Sequence, residues 1–133
     1  MNKALASGQV SGKENKMTVR ECYNKMGADY EDVMSRLGKE ERVQRFLIKF
    51  LDDQSYALLC SSLKERNMEE AFRAAHSLKG VSLNLSLTNL YVPASRLSDR
   101  LKQQREYSEE VQLYFEEVTR EYQRTTEYIH ELS

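Results

Sequence analysis

From Thr18 onward the chain repeats one pattern: apolar residues return every three or four positions and polar ones fill the gaps, as in helices that turn one face to a core. Thr18 and Glu21 have the spacing of a capping box, and Gly27 suits the end of a short first helix. Asp29 caps a second, which carries Tyr30, Val33, Met34 and Leu37 and ends at Gly38. From Glu40 to Arg66 the period is helical throughout, with Val43, Phe46, Leu47, Phe50 and Leu51 followed by Leu58, Leu59 and Leu63. Asp52 and Asp53 interrupt that stripe, and one long bent helix is expected in preference to two in line.

Asn67 stops this segment and caps the next, whose first turn holds Glu69 and Glu70, where negative charge suits the helix dipole. Here Ala71, Ala74, Leu78, Val81 and Leu85 make a single stripe. After Ser86, Thr88 is expected to cap a helix with core positions Leu90, Ala94, Leu97 and Leu101. Pro93 lies about one turn inside it, where the missing backbone donor should kink the helix or delay its start. Ser108, followed by Glu109 and Glu110, caps a last helix with Val111, Phe115, Val118, Tyr122, Thr125, Ile129 and Leu132 on one face. Four amphipathic helices with short connections predict an all-α fold, an antiparallel up-and-down four-helix bundle with the short N-terminal helices covering one end.

The length of 133 residues suits one domain, expected over 17–133 after a polar, flexible leader at 1–16 that contains Gly8 and Gly12. Twenty basic residues against twenty-one acidic ones make nucleic acid an improbable partner. No apolar run is long enough to span a bilayer, and no secretory signal precedes the domain, so no membrane partner and a cytoplasmic location are expected. Cys22 and Cys60 match no metal or redox motif, which agrees with a reduced compartment. His76 and His130 are too few and too far apart in sequence for zinc, and His130 reads as a structural residue of the last helical turn.

His76 stands opposite the Ala71–Leu85 stripe and shares its side with Phe72, Lys79, Gly80 and Leu83. Lys79, three residues on, places a cation beside any anion carried by the imidazole. Gly80 costs about 1 kcal/mol of helix propensity relative to alanine, which makes sense if the surface beside His76 has to stay open. Phe72 and Leu83, apolar on an exposed side, suggest a docking surface. A lone histidine on a bundle helix is most often plain surface; the spacing of Lys79 and Gly80 argues for more.

The segment AHSLKGVSLNL resembles the signature of histidine-containing phosphotransfer domains, roughly His-x-Leu-Lys-Gly-x-Ser/Ala-x-x-Leu-Gly, through His76, Leu78, Lys79, Gly80, Ser82 and Leu85. The final glycine of that pattern is Ser86 here, a departure that concerns how the helix ends. The resemblance implies a phosphorelay intermediate in which His76 accepts phosphoryl from a receiver-domain aspartate or a sensor or hybrid kinase and passes it to a receiver aspartate. It implies a phosphocarrier that is not itself an enzyme, with Lys79 supporting the phosphate charge and Gly80 keeping access open. Partners would dock through Phe72, Arg73, Leu83 and Arg100, with Ser98 at the position that commonly offers an acidic or amide group to the histidine. The chain carries no nucleotide loop and no acidic cluster, so no cofactor or metal is expected on it; the Mg2+ would belong to the receiver.

Two other classes stay open on the residues alone. A helical adaptor or oligomerisation module would use the last helix as a seam, with Tyr114, Tyr122 and Tyr128 among its interface residues and His76 dispensable; the phosphorelay reading expects a monomer. A kinase dimerisation module conflicts with the missing nucleotide domain.

Overall fold

The computed structural model describes residues 16–132, so the leader assigned to 1–16 lies outside the described residues except for Lys16. Among these residues the helices are α1 (Val19–Met26), α2 (Tyr30–Leu37), α3 (Glu40–Phe50), α4 (Ser55–Lys64), α5 (Met68–Asn84), α6 (Thr88–Gln103) and α7 (Glu109–His130). No strand occurs among them. α4 packs on α5, α5 on α6 and α6 on α7, while α1 and α2 sit against α3 and α7 at one end. The bundle closes through aromatic contacts: the Tyr56 ring of α4 stacks on Tyr122 of α7 at 4.0 Å between centroids, and its hydroxyl donates to Thr119 Oγ1 at 2.9 Å. Tyr122 also meets Phe50 of α3.

The end signals act largely as the residues prescribe. Thr18 and Glu21 form a reciprocal capping box, Gly27 and Gly38 end α1 and α2 in the left-handed conformation, and Asp29, Asn67 and Ser108 each accept a backbone N–H of the helix they open. The expected single helix from Glu40 to Arg66 is in fact two. α3 ends at Phe50, and Asp53 Oδ1 accepts the N–H of Ser55 at 2.8 Å, which opens α4 after a break at 51–54. Two aspartates in sequence favour such local side-chain to backbone bonds over continued helix. Thr88 is likewise the first residue of α6 and not its cap; Leu87 holds the cap position without a side-chain bond. Leu87 is fully buried, and its N–H donates to Ser82 O at 2.9 Å, so core packing sets this end. α6 begins well before Pro93, which therefore does not delay its start.

The core is one cluster to which every helix contributes, from Cys22, Tyr23 and Met26 of α1 to Val118 and Ile129 of α7. Burial pushes the Cys22 thiol up to about 11, with the Glu131 carboxylate adding to the effect, and both cysteines are free. Ala71, Ala74 and Ala75 are buried in α5, and such small side chains let neighbouring helices come close. Val111, Val118, Thr125, Ile129 and Leu132 are buried as well, so the α7 stripe is consumed inside the bundle.

The end of α5 is held by the N-terminal helices. Tyr23 donates its buried hydroxyl to Leu85 O at 2.7 Å, Asp29 N donates to Ser86 O at 3.0 Å, and Ser86 Oγ donates to Asp32 Oδ2 at 2.6 Å. Ser86 has φ +56°, a left-handed conformation that is easiest for glycine. The serine thus accepts strain in exchange for a hydroxyl bond to Asp32. Ser86→Gly is expected to unfold within about 0.5 kcal/mol of wild type in urea, because relief of strain offsets the lost bond. Ser86→Ala keeps the strain and loses the bond, and should cost about 1–2 kcal/mol. Alanine and glycine variants of equal stability would contradict this account.

Candidate functional site

α5 places its candidate side chains by the same geometry that buries its other face. With Ala71, Ala74, Leu78 and Leu85 turned inward, His76 is exposed at mid-helix. The Phe72 ring, one turn earlier and half-buried, stacks on the imidazole at 5.8 Å between centroids with 29° between planes. Among the described residues no hydrogen bond engages either imidazole nitrogen, so the ring is positioned by packing while its nitrogens stay available.

Lys79 is half-buried, and among the described residues no carboxylate pairs with it. The two candidate arginines differ. Arg73 is bound to Glu69 at 3.4 Å and to Glu70. Arg100 pairs with Glu110 and donates to Gln104 Oε1 at 2.9 Å. Of the two α5 cations three residues from His76, Lys79 is thus the one without a carboxylate partner among the described residues, while Arg73 and Arg100 have carboxylates of their own.

A Cβ built on Gly80 would meet nothing within 4 Å, so the bundle itself places no demand on glycine there. Leu83 is 45 % exposed and extends the face toward the end of α5. Ser98 behaves differently from the other candidates: it is buried in α6 at 2 % exposure, and no hydrogen bond joins it to His76. One residue that periodicity did not single out does reach the site. Arg105, in the connection between α6 and α7, sets its guanidinium 4.5 Å from the centre of the Phe72 ring and pairs with Glu69 at 3.5 Å. No regular period governs a loop, and an arginine among polar residues gave no sign of its destination.

A family model described as Hpt domain matches residues 44–129, from within α3 to the last turn of α7. The chain belongs to the Hpt domain family. No curated protein and no solved structure matches it. Hpt domains act in phosphorelays as phosphocarriers and interact with receiver domains and kinases, and membership gives this chain that general role. As an Hpt domain it adds α1 and α2 ahead of the matched residues, packed on the same core. Among the described residues no group of three or more His, Cys, Asp and Glu side chains is arranged to hold a metal ion, and no helix is long and apolar enough to cross a membrane.

Proposed function

We propose that this Hpt domain relays phosphoryl through His76, taking it from a receiver aspartate or a sensor or hybrid kinase and giving it to a receiver aspartate. The observation that carries the reading is an exposed imidazole stacked on Phe72 beside Lys79 and an open Gly80, with no hydrogen bond to the imidazole and no carboxylate on Lys79 among the described residues. An imidazole nitrogen attacks phosphorus with its lone pair; the N–P bond forms as the aspartyl O–P bond breaks, and the electron pair leaves on the aspartate carboxylate. A neutral imidazole is nucleophilic near pH 7, and the product is a phosphoramidate able to react with a second aspartate in the reverse sense. Lys79 supplies charge to the transferring group, and the receiver supplies the acidic pocket and its Mg2+.

The partner would sit on Phe72, His76, Lys79, Gly80 and Leu83, with Arg73 and Arg100 at the edges of that footprint. Both arginines already have carboxylate partners, so charge reversal at either is expected to slow encounter only modestly. Ser98, being buried, supports the helix behind the histidine in this reading. The adaptor reading asks α7 for an outward seam, yet its buried stripe and the stacking of Tyr122 on Tyr56 engage that helix within the bundle.

Gly80 gives a test in which stability and transfer move in opposite directions. Gly80→Ala is expected to stabilise the fold by about 1 kcal/mol, since the methyl meets open space and helix propensity improves. The same methyl stands where a receiver approaches His76, and transfer from a phosphorylated receiver is expected to slow about tenfold. A variant that is stabilised and transfers at the wild-type rate would remove Gly80 from the site. The relay as a whole is tested by labelling from phosphorylated receiver domains, wild type beside His76→Gln.

A further inference from the structure

Arg105 lies outside the helical face that bears His76, yet it is linked to the histidine through a single ring. Its guanidinium packs over Phe72, and Phe72 stacks on His76. Its only carboxylate partner among the described residues is Glu69, a side chain that Arg73 shares at 3.4 Å. Arg105 and Glu69 are 41 % and 61 % exposed, so their ion pair is a weak, solvent-screened one. A cation held by a ring face and half of a shared carboxylate exchanges that position readily for a stronger anion.

A phosphoryl group on His76 is such an anion. It brings a charge of about −2 and three acceptor oxygens to the imidazole that Phe72 supports, and a guanidinium can meet two of those oxygens at once. We propose that Arg105 swings from Phe72 and Glu69 onto the phosphoryl group of phosphohistidine, as a phosphoryl-binding residue opposite Lys79. Lys79 then holds the group from within α5 and Arg105 from the α6–α7 connection. Glu69 is the competing anion that keeps Arg105 beside the site while His76 is unmodified. The assignment rests on His76 being the phosphorylated residue.

Chemical phosphorylation tests this without any receiver or kinase. Phosphoramidate transfers its phosphoryl group to an imidazole nitrogen; the N–P bond of the reagent breaks as the new N–P bond forms, and the displaced nitrogen leaves as ammonia with the imidazole proton. The folded 133-residue chain is treated with phosphoramidate, and the phosphohistidine signal that disappears in His76→Gln is titrated by phosphorus NMR. In Arg105→Gln the titration midpoint of the phosphoryl group is expected to rise by about 0.5 unit, because a cation that favours its dianion is gone. Arg105→Lys, which keeps the charge, should restore most of the wild-type midpoint.

A midpoint in Arg105→Gln equal to that of wild type overturns the proposal, as does a lysine variant that behaves like glutamine. A His76 that takes no phosphoryl from the reagent in the folded protein overturns it as well. The relay fails by a separate observation, namely that no receiver or kinase labels the chain, and that result leaves the chemical titration unaffected.

Discussion

His76→Gln is expected to abolish labelling by phosphorylated receiver domains completely while leaving the fold unchanged. The imidazole is exposed and accepts no hydrogen bond among the described residues, so its loss should move stability by no more than about 0.5 kcal/mol. Glutamine keeps a polar side chain of similar length but has no nitrogen lone pair able to attack phosphorus. Wild-type label should be lost in acid and retained in base, as a phosphoramidate is. The measurement is transfer of radioactive phosphoryl from a panel of receivers and kinases, with circular dichroism melting on both proteins. Residual label on the variant would place the phosphoryl elsewhere and end the assignment of His76. Binding to a receiver by a wild type that no donor labels would instead favour the adaptor reading.

Leu78→Ala should produce the largest loss of stability among changes near the site. Leu78 is fully buried on α5 and points into the core, two residues from a histidine that points out. Removing its branched end leaves a cavity that backbone packing from both neighbouring helices cannot fill, at a cost of about 2–5 kcal/mol. For a domain of this size the melting temperature would fall by roughly 10–20 °C. Tyrosine fluorescence or circular dichroism reads this directly, since the chain has no tryptophan. At a temperature where the variant is still folded, His76 should accept phosphoryl at close to the wild-type rate, because the imidazole, Phe72 and Lys79 lie on other faces. A melting point within about 3 °C of wild type would mean that the α5 stripe is not the core face.

That division of α5 into two faces was legible in the sequence, and its legibility has a simple cause. Over a 17-residue helix the helical period has room to separate a stripe of Ala71, Ala74, Leu78 and Leu85 from His76, Phe72 and Leu83, whatever the rest of the chain does. The caps at Thr18, Asp29, Asn67 and Ser108 were legible for a related reason: each is a bond between side chain and backbone only a few residues apart. The break between α3 and α4 was not. Apolar residues continue on both sides of it, and only the bond from Ser55 N to Asp53 turns two acidic residues from an interruption into a new helix start.

Thr88 failed as a cap because a threonine preference worth about 1 kcal/mol competes with full burial of Leu87, and burial wins. Neither the left-handed Ser86 nor the return of Arg105 to the Phe72 ring can be read from periodicity. Both depend on contacts between segments far apart in the chain, Ser86 with Asp32 and Arg105 with Glu69.

The grip of the N-terminal helices on Leu85 and Ser86 bears on how this domain can be moved between proteins. The family match begins at residue 44, but Cys22, Tyr23, Met26 and Val33 are fully buried in the shared core, and the Tyr23 hydroxyl donates to the Leu85 carbonyl at the end of the histidine helix. A graft cut at the matched boundary would carry α5 and its histidine and leave behind residues that hold the end of that helix. A portable unit is expected to need a start no later than Thr18, where the first capping box begins.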